Sequence, residues 1–157
     1  MAKQKNLTVI NKITLTLIVT TALFLIYFLL NSQKETQEKI ILKVNNIEIN
    51  AEIADSKIEI TKGLSDRDFL DESSGMYFVL GEREVVNFWM KGMRFPIDII
   101  WIDSGKITGL TKNASVPQNG KIPTYTSPTA ITNVLEVNAG FADKYNIKID
   151  DKVETID

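Results

Sequence analysis

Ile97-Asp98-Ile99-Ile100-Trp101-Ile102-Asp103, then Ser104-Gly105, then Lys106 to Thr111, is the stretch whose reading decides the fold. The first seven residues are β-branched or aromatic apart from two aspartates, which is the composition of a strand. Ser104-Gly105 supplies the turn, and Lys106 to Thr111 reads as the return strand. Upstream, Met76 to Leu80 and Val86 to Lys91 have the same character; downstream, Ala130 to Val137 and Ile147 to Ile156 repeat it. Nearer the N-terminus, Ile47, Ile49, Ala51 and Ile53 alternate with Glu48, Asn50 and Glu52 at a period of two. Asn45-Asn46 tolerates positive φ and predicts a tight hairpin between that strand and Ile40 to Val44. Short strands separated by turns predict a mainly β domain, an antiparallel sandwich or barrel.

Helical signals are few. Ser56-Lys57-Ile58-Glu59 matches a capping box, so a short helix is expected from Ser56 to about Leu64–Arg67. Asn138 is expected to cap a second helix over Ala139 to Tyr145, with Asn146 as its left-handed stop. Between the strands, Asn113 to Thr129 reads as a long loop with three prolines, Pro117, Pro123 and Pro128. Loops of that length in compact domains are often functional.

The N-terminal stretch Ile13 to Leu30 is different in kind. It holds eighteen residues without a charge, twelve of them Leu, Ile, Val or Phe. As a helix it spans about 27 Å, close to the thickness of a bilayer's hydrocarbon core. The twelve favour insertion by about 5 kcal/mol in total, and its threonines can bond back to the preceding turn. The stretch is longer than the apolar part of a cleaved leader and lacks small residues at its exit. The expected organisation is a cytoplasmic tail over 1–12, a transmembrane helix over 13–30, a polar stalk over 31–39 and a globular β domain over 40–157. Lys3, Lys5 and Lys12 on one side are matched by Lys34, Lys39 and Lys43 on the other. Sidedness therefore rests on the short basic tail, which places the N-terminus in the cytoplasm and the domain outside.

Composition excludes several chemistries. The chain has no cysteine and no histidine, which removes Ser-His-Asp and Cys-His catalysis and the usual zinc sites. No metal or other cofactor is expected. Residues 31–157 carry fifteen basic and twenty acidic side chains, so no nucleic-acid partner is expected either.

A set of spaced motifs resembles one family. Lys62-Gly63-Leu64, Gly75-Met76-Tyr77-Phe78-Val79, Phe88-Trp89-Met90-Lys91, the run from Pro96 to Asp103, Asn113-Ala114 with Pro117, Tyr125 with Ser127, and Val134 to Phe141 occur in order over about residues 47–154. In these features the chain resembles the bacterial and archaeal family called domain of unknown function 192. The resemblance implies a compact β-sandwich related to jelly rolls, with small helices at its edges. It implies no activity. Members often carry a secretion signal or anchor, in line with an external domain. Gly92 and the short Arg94-Phe95 step before Pro96 depart from the family pattern.

Five residues are candidates for a site: Trp89, Lys91, Asp98, Tyr125 and Glu136. Trp89 and Lys91 share a strand face and could hold a sugar or an anion; the alternative is a second core layer with a paired lysine. Asp98 shares a face with Ile100 and Ile102, so its carboxylate is a general acid or base, or an acceptor of turn amides or partner of Lys91 or Arg94. Glu136 could join Asp98 as a carboxylate pair for glycan hydrolysis if their strands are neighbours; otherwise it is an ordinary structural acid. Tyr125 either lines a cleft with Trp89 or Trp101 or pins the long loop. The reading that follows is a single-pass, membrane-anchored, non-catalytic extracytoplasmic binding module for an envelope small molecule, glycan or protein. The alternatives are a structural or interaction subunit of a membrane complex and a carboxylate hydrolase of envelope glycans.

Overall fold

The computed structural model describes residues 2–31 and 38–156, with side chains from 14 to 28 and from 38 onward. The chain forms two compact units, Met1–Thr36 and Gln37–Asp157.

The first unit is one helix, α1 (Ala2–Asn31). Leu15, Leu17, Ile18, Phe24, Leu25 and Phe28 lie exposed on it, spread around its circumference. The hydroxyls of Thr20 and Thr21 donate to Leu17 O at 3.0 and 2.9 Å, so they are satisfied within the helix. Among the described residues no helix is long and apolar enough to cross a membrane; the expected span, 13–30, extends beyond the described side chains at both ends. Most of the expected stalk, residues 32–37, lies outside the described residues.

The second unit holds the β domain. Its elements are β1 (Lys39–Val44), β2 (Ile47–Ala54), α2 (Lys57–Lys62), β3 (Ser74–Glu84), β4 (Asn87–Trp89), β5 (Ile97–Asp103), β6 (Lys106–Ala114), β7 (Thr124–Thr126), β8 (Ile131–Asn138), α3 (Phe141–Lys144) and β9 (Val153–Ile156). Seven strands form one sheet in the order β6-β5-β8-β3-β2-β1-β9, and β4 pairs with β7 in a separate ribbon. The strand at 97–103 and its return at 106 stand where the sequence puts them, paired antiparallel from Asp103–Lys106 up to Ile97–Ala114. Asn45 takes φ 56° at the β1–β2 turn.

Two features correct the sequence reading. The domain is mainly β, but it is one curled sheet rather than two facing antiparallel sheets. The sheet is also mixed, because β2 and β3 run parallel. A parallel pair needs a crossover, and residues 55–73, which contain α2, provide it. The alternation of apolar and polar residues marks a strand but carries no information about its direction. The sheet curls until its two edge strands meet at one end: Ile107 N donates to Asp151 O at 3.0 Å and Val153 N to Gly105 O at 2.9 Å. This partial closure is barrel-like and leaves little free edge there.

The curl gives the sheet an inner and an outer face, each with its own core. Ile49, Ile100, Ile102, Leu135 and Val137 fill the inside together with Phe141 and Ala142 of α3. Met76, Phe78, Ile97, Ile99, Trp101 and Val134 lie on the outside, covered by Leu64, Met90 and Met93. β5 is therefore buried on both faces, and each fully buried aliphatic side chain contributes about 1.5–3 kcal/mol.

The helices are short for local reasons. Ser56 caps α2 and Glu59 reaches back to Ser56 N at 3.0 Å, the expected capping box. Gly63 then ends the helix at φ 48° and ψ −135°, a conformation that L-residues rarely adopt. α3 begins later than expected. Gly140 precedes it without a side-chain cap, and Asn138 instead donates to Leu70 O and Asp71 O at 3.0 and 3.1 Å. Asn146 is left-handed at φ 52°, as the sequence suggests.

Candidate functional site

A cleft of about 190 Å3 opens on the outer face, between α2 with its C-terminal turn and the β4 strand. Ile60, Leu64, Phe78, Phe88 and Met93 make its apolar walls; Trp89 and Asn87 stand at the β4 side, Lys62 on α2, and Glu136 within. Two contacts set its width. Ser65 Oγ donates to Lys91 O at 2.7 Å, and Asp66 N donates to Gly92 O at 2.9 Å. Gly92 is at φ 74°, and a Cβ there would sit 3.0 Å from the Ser65 Cβ. The departure at Gly92 thus has a structural reason: it lets β4 close on the turn after α2.

Glu136 is 5 % exposed. It lies on the same sheet face as Met76, its partner on β3. Among the described residues its carboxyl makes no hydrogen bond and no ion pair, and its oxygens are not sealed off but open to the cleft; Gly63 lies close, since an added Cβ there would come within 3.9 Å of Glu136 Oε2. Burial without a compensating charge pushes the carboxyl up to about 8, from an ordinary 4.5. At neutral pH it is mostly a carboxylic acid that can donate a hydrogen bond, and an arriving cation can turn it into a carboxylate.

Asp98 is buried just as deeply, 1 % exposed, but in the opposite situation. It accepts from Asn113 N at 2.8 Å and from Ala142 N at 2.9 Å. These bonds tie the end of β6 and the first turn of α3 to β5, so the acceptor-of-amides reading holds. In register Asp98 faces Val137, while Ile99 faces Glu136. The strands are neighbours, yet the one-residue offset puts Asp98 on the inner face and Glu136 on the outer. The sheet itself lies between the two carboxyls, so no sugar ring can sit between them, and the pair expected for glycan hydrolysis does not form.

The other candidates divide similarly. Trp89 is half exposed at the cleft, and the Lys91 ammonium lies 5.5 Å from its ring centroid, a cation–π brace. Lys91 does not line the cleft. Tyr125 pairs with Phe88 across the β4–β7 ribbon, and its hydroxyl accepts from Ser115 N at 3.0 Å, which is the loop-pinning role. Trp101 is buried, bonds Thr111 Oγ1 at 3.0 Å through its indole N–H, and is capped edge-on by Phe88 at 5.7 Å, so it lines no cleft. Phe88 also meets Phe78 edge-on at 4.9 Å. The sequence reading missed Gly63, Phe78, Phe88 and Met93. The signal for the first was present, since a glycine ending a capped helix marks a tight approach.

A second concavity, near Lys43, Asp150 and Lys152, is polar. Its carboxylates serve the local turn: Asp151 Oδ2 accepts from Asn45 Nδ2 and from Lys148 N, both at 2.8 Å. Among the described residues no group of acids, histidines or cysteines is arranged to hold a metal ion.

Fold and site together define a curled β domain that carries one apolar cleft with a single buried acid. By sequence the chain belongs to the family described as Uncharacterized ACR, domain of unknown function 192, whose model matches residues 40–155. Two solved structures are similar. A Sinorhizobium meliloti 1021 protein, designated a candidate transcription regulator, is 25% identical, with a TM-score of 0.72 over 78% of this chain and 97% of that one. A protein of unknown function from Novosphingobium aromaticivorans DSM 12444 is 26% identical, with a TM-score of 0.71 over 78% of this chain and 89% of that one. No curated protein matches the chain.

Proposed function

We propose that the chain is a membrane-anchored, non-catalytic binding module that holds a small ligand in the cleft between α2 and β4. The observation that carries the reading is Glu136: a nearly buried residue whose carboxyl has no partner among the described residues and opens into the cleft. A carboxyl that no protein group engages is free to bond whatever enters the cleft, and its partly desolvated setting strengthens that bond. The cleft's volume of about 190 Å3 equals the share of roughly six waters in the liquid, below the drug-sized range. The ligand is accordingly small. Catalysis has less support, since the two buried acids are separated by the sheet and no second titratable group is buried beside Glu136.

The anchor is argued from residues 13–30: eighteen uncharged residues within one helix, with threonine hydroxyls satisfied internally. The short basic tail favours a cytoplasmic N-terminus and an external domain. A protein partner or an envelope glycan is a weaker reading of the same cleft, because a volume of about 190 Å3 admits only a small group.

Both parts can be tested. Ligand screening by thermal shift on the full chain should give hits that Trp89→Ala weakens at least tenfold; hits indifferent to that change place binding elsewhere. The chain has no cysteine, so Lys121→Cys on an exposed loop gives a single label site. An impermeant maleimide should label it in intact cells; labelling only after lysis reverses the sidedness, and release of the chain by carbonate washing rejects the anchor.

A further inference from the structure

We propose that the cleft recognises a small organic cation, an alkylammonium or guanidinium group on an apolar body, with the Glu136 carboxylate as its counter-ion. The inference rests on the cleft being a ligand site and adds the class of ligand. The geometry argues for it in three ways. Ile60, Phe78, Phe88 and Met93 supply hydrocarbon and aromatic wall that suits an apolar body, while Thr61, Ser65 and Asn87 add neutral polar groups. The polar group set deepest in the cleft is the carboxyl of Glu136, which becomes a counter-ion for a cation when it ionises. No basic side chain satisfies that acid among the described residues, since the nearby cations are engaged or exposed: Lys91 braces Trp89, and Lys62 is exposed on α2.

Two charged groups therefore act on a ligand here, and they do so unequally. Among the described residues Lys62 is the only other titratable side chain lining the cleft: α2 contributes Lys62, β3 contributes Phe78, and β4 contributes Asn87, Phe88 and Trp89. Lys62 is solvated and its field is screened. Glu136 is desolvated, where opposite charges attract several times more strongly than in water. With burial holding the carboxyl at about 8, about one tenth of the molecules carry the charge at pH 7. A cation draws the remainder into the charged form, and one proton leaves as it binds.

That linkage gives the test. The full chain is titrated calorimetrically at pH 6, 7 and 8 with 2-phenylethylamine, with its neutral isostere 2-phenylethanol, and with Nα-acetyl-lysine N-methylamide. The cation is expected to bind about tenfold more tightly at pH 7 than at pH 6, with a smaller gain from 7 to 8 and release of close to one proton. Glu136→Gln, which should remain folded, is expected to abolish both the binding and the pH dependence. Binding of 2-phenylethylamine without the lysine amide identifies a free amine as the natural source, and the reverse identifies a partner's lysine side chain; either supports the recognition chemistry. Equal or better binding of 2-phenylethanol, sensitive to Trp89→Ala, overturns the cation while leaving the cleft a ligand site. Failure of all three probes overturns the cation proposal and removes the support for the cleft reading as well. An affinity for the amines that is flat or falling with pH, or unchanged in Glu136→Gln, also overturns it.

Discussion

Asp98 and Glu136 are neighbours across one strand pair, both are buried, and they lead opposite lives. Asp98, on the inner face, spends both oxygens on backbone amides at 2.8 and 2.9 Å. Glu136, on the outer face, spends neither and lies against a cleft. The inner acid closes the fold: it fixes the end of β6 and the start of α3 against β5. The outer acid weakens the fold at neutral pH relative to acid, because burial raises it, and it ties no element of the chain. Burial alone therefore does not separate a structural acid from a functional one; the count of satisfied oxygens does.

The comparison can be broken most forcefully at Glu136. Its carboxyl is raised from 4.5 to about 8, so the unfolded chain loses its proton at lower pH than the folded chain. Stability tied to this group is fully present below about pH 4.5 and is lost as pH rises through about 8. The full gap corresponds to a ceiling of about 5 kcal/mol. Glu136→Gln should accordingly leave urea unfolding nearly unchanged at pH 4 and stabilise the domain by several kcal/mol at pH 9. A variant destabilised equally at both pH values would mean that Glu136 is an ordinary bonded acid like Asp98.

Asp98→Ala is the opposite experiment. It leaves two backbone N–H groups without their acceptor, the buried one of Ala142 and the partly buried one of Asn113, at a cost of about 2–3 kcal/mol. The loss should appear as a lower urea midpoint at pH 7, with the occupancy of the cleft unaltered in the folded fraction. Loss of ligand binding out of proportion to unfolding would show that the inner acid also serves the site.

The smallest effect concerns Glu52, which forms a two-pronged pair with Arg67 at 2.9 and 2.5 Å on the half-buried edge of the crossover. The Arg67 hydrogen bond holds Glu52 below its ordinary range, so its stabilisation is present above about pH 4.5 and disappears as pH falls through the lowered value. Because both side chains keep substantial exposure, Glu52→Gln should cost only about 1 kcal/mol at pH 7, and progressively less as pH falls through the lowered value. With Glu136 acting at the alkaline end, the two carboxylates bound the stability profile from opposite sides.

Much of this was legible in the residues. The strand at 97–103, its turn, the Asn45-Asn46 hairpin and the capping box at Ser56 all depend on local spacing, and local spacing is what a sequence displays. The parallel pairing of β2 with β3 was not legible, because alternation is the same in either direction. Nor was β7 (Thr124–Thr126) inside the expected long loop: three residues are too few to show a period. For the site, Trp89 and Glu136 were among the candidates, but their lining one cleft with α2 was not legible. Glu136 alternates with Leu135 and Val137, which says that it lies on another face without saying what covers that face. The register between β5 and β8 then separated Asp98 from Glu136, and register is a property of two strands rather than of either one.

The most direct test of the contrast is the titration of Glu136 itself, followed through its side-chain carboxyl carbon by 13C NMR from pH 3 to pH 10. A midpoint near 8 is expected, moving downward when a cationic ligand fills the cleft. A midpoint near 4.5 in the free protein would show that water or a protein partner already satisfies the carboxyl, and would contradict the claim that this acid awaits a ligand.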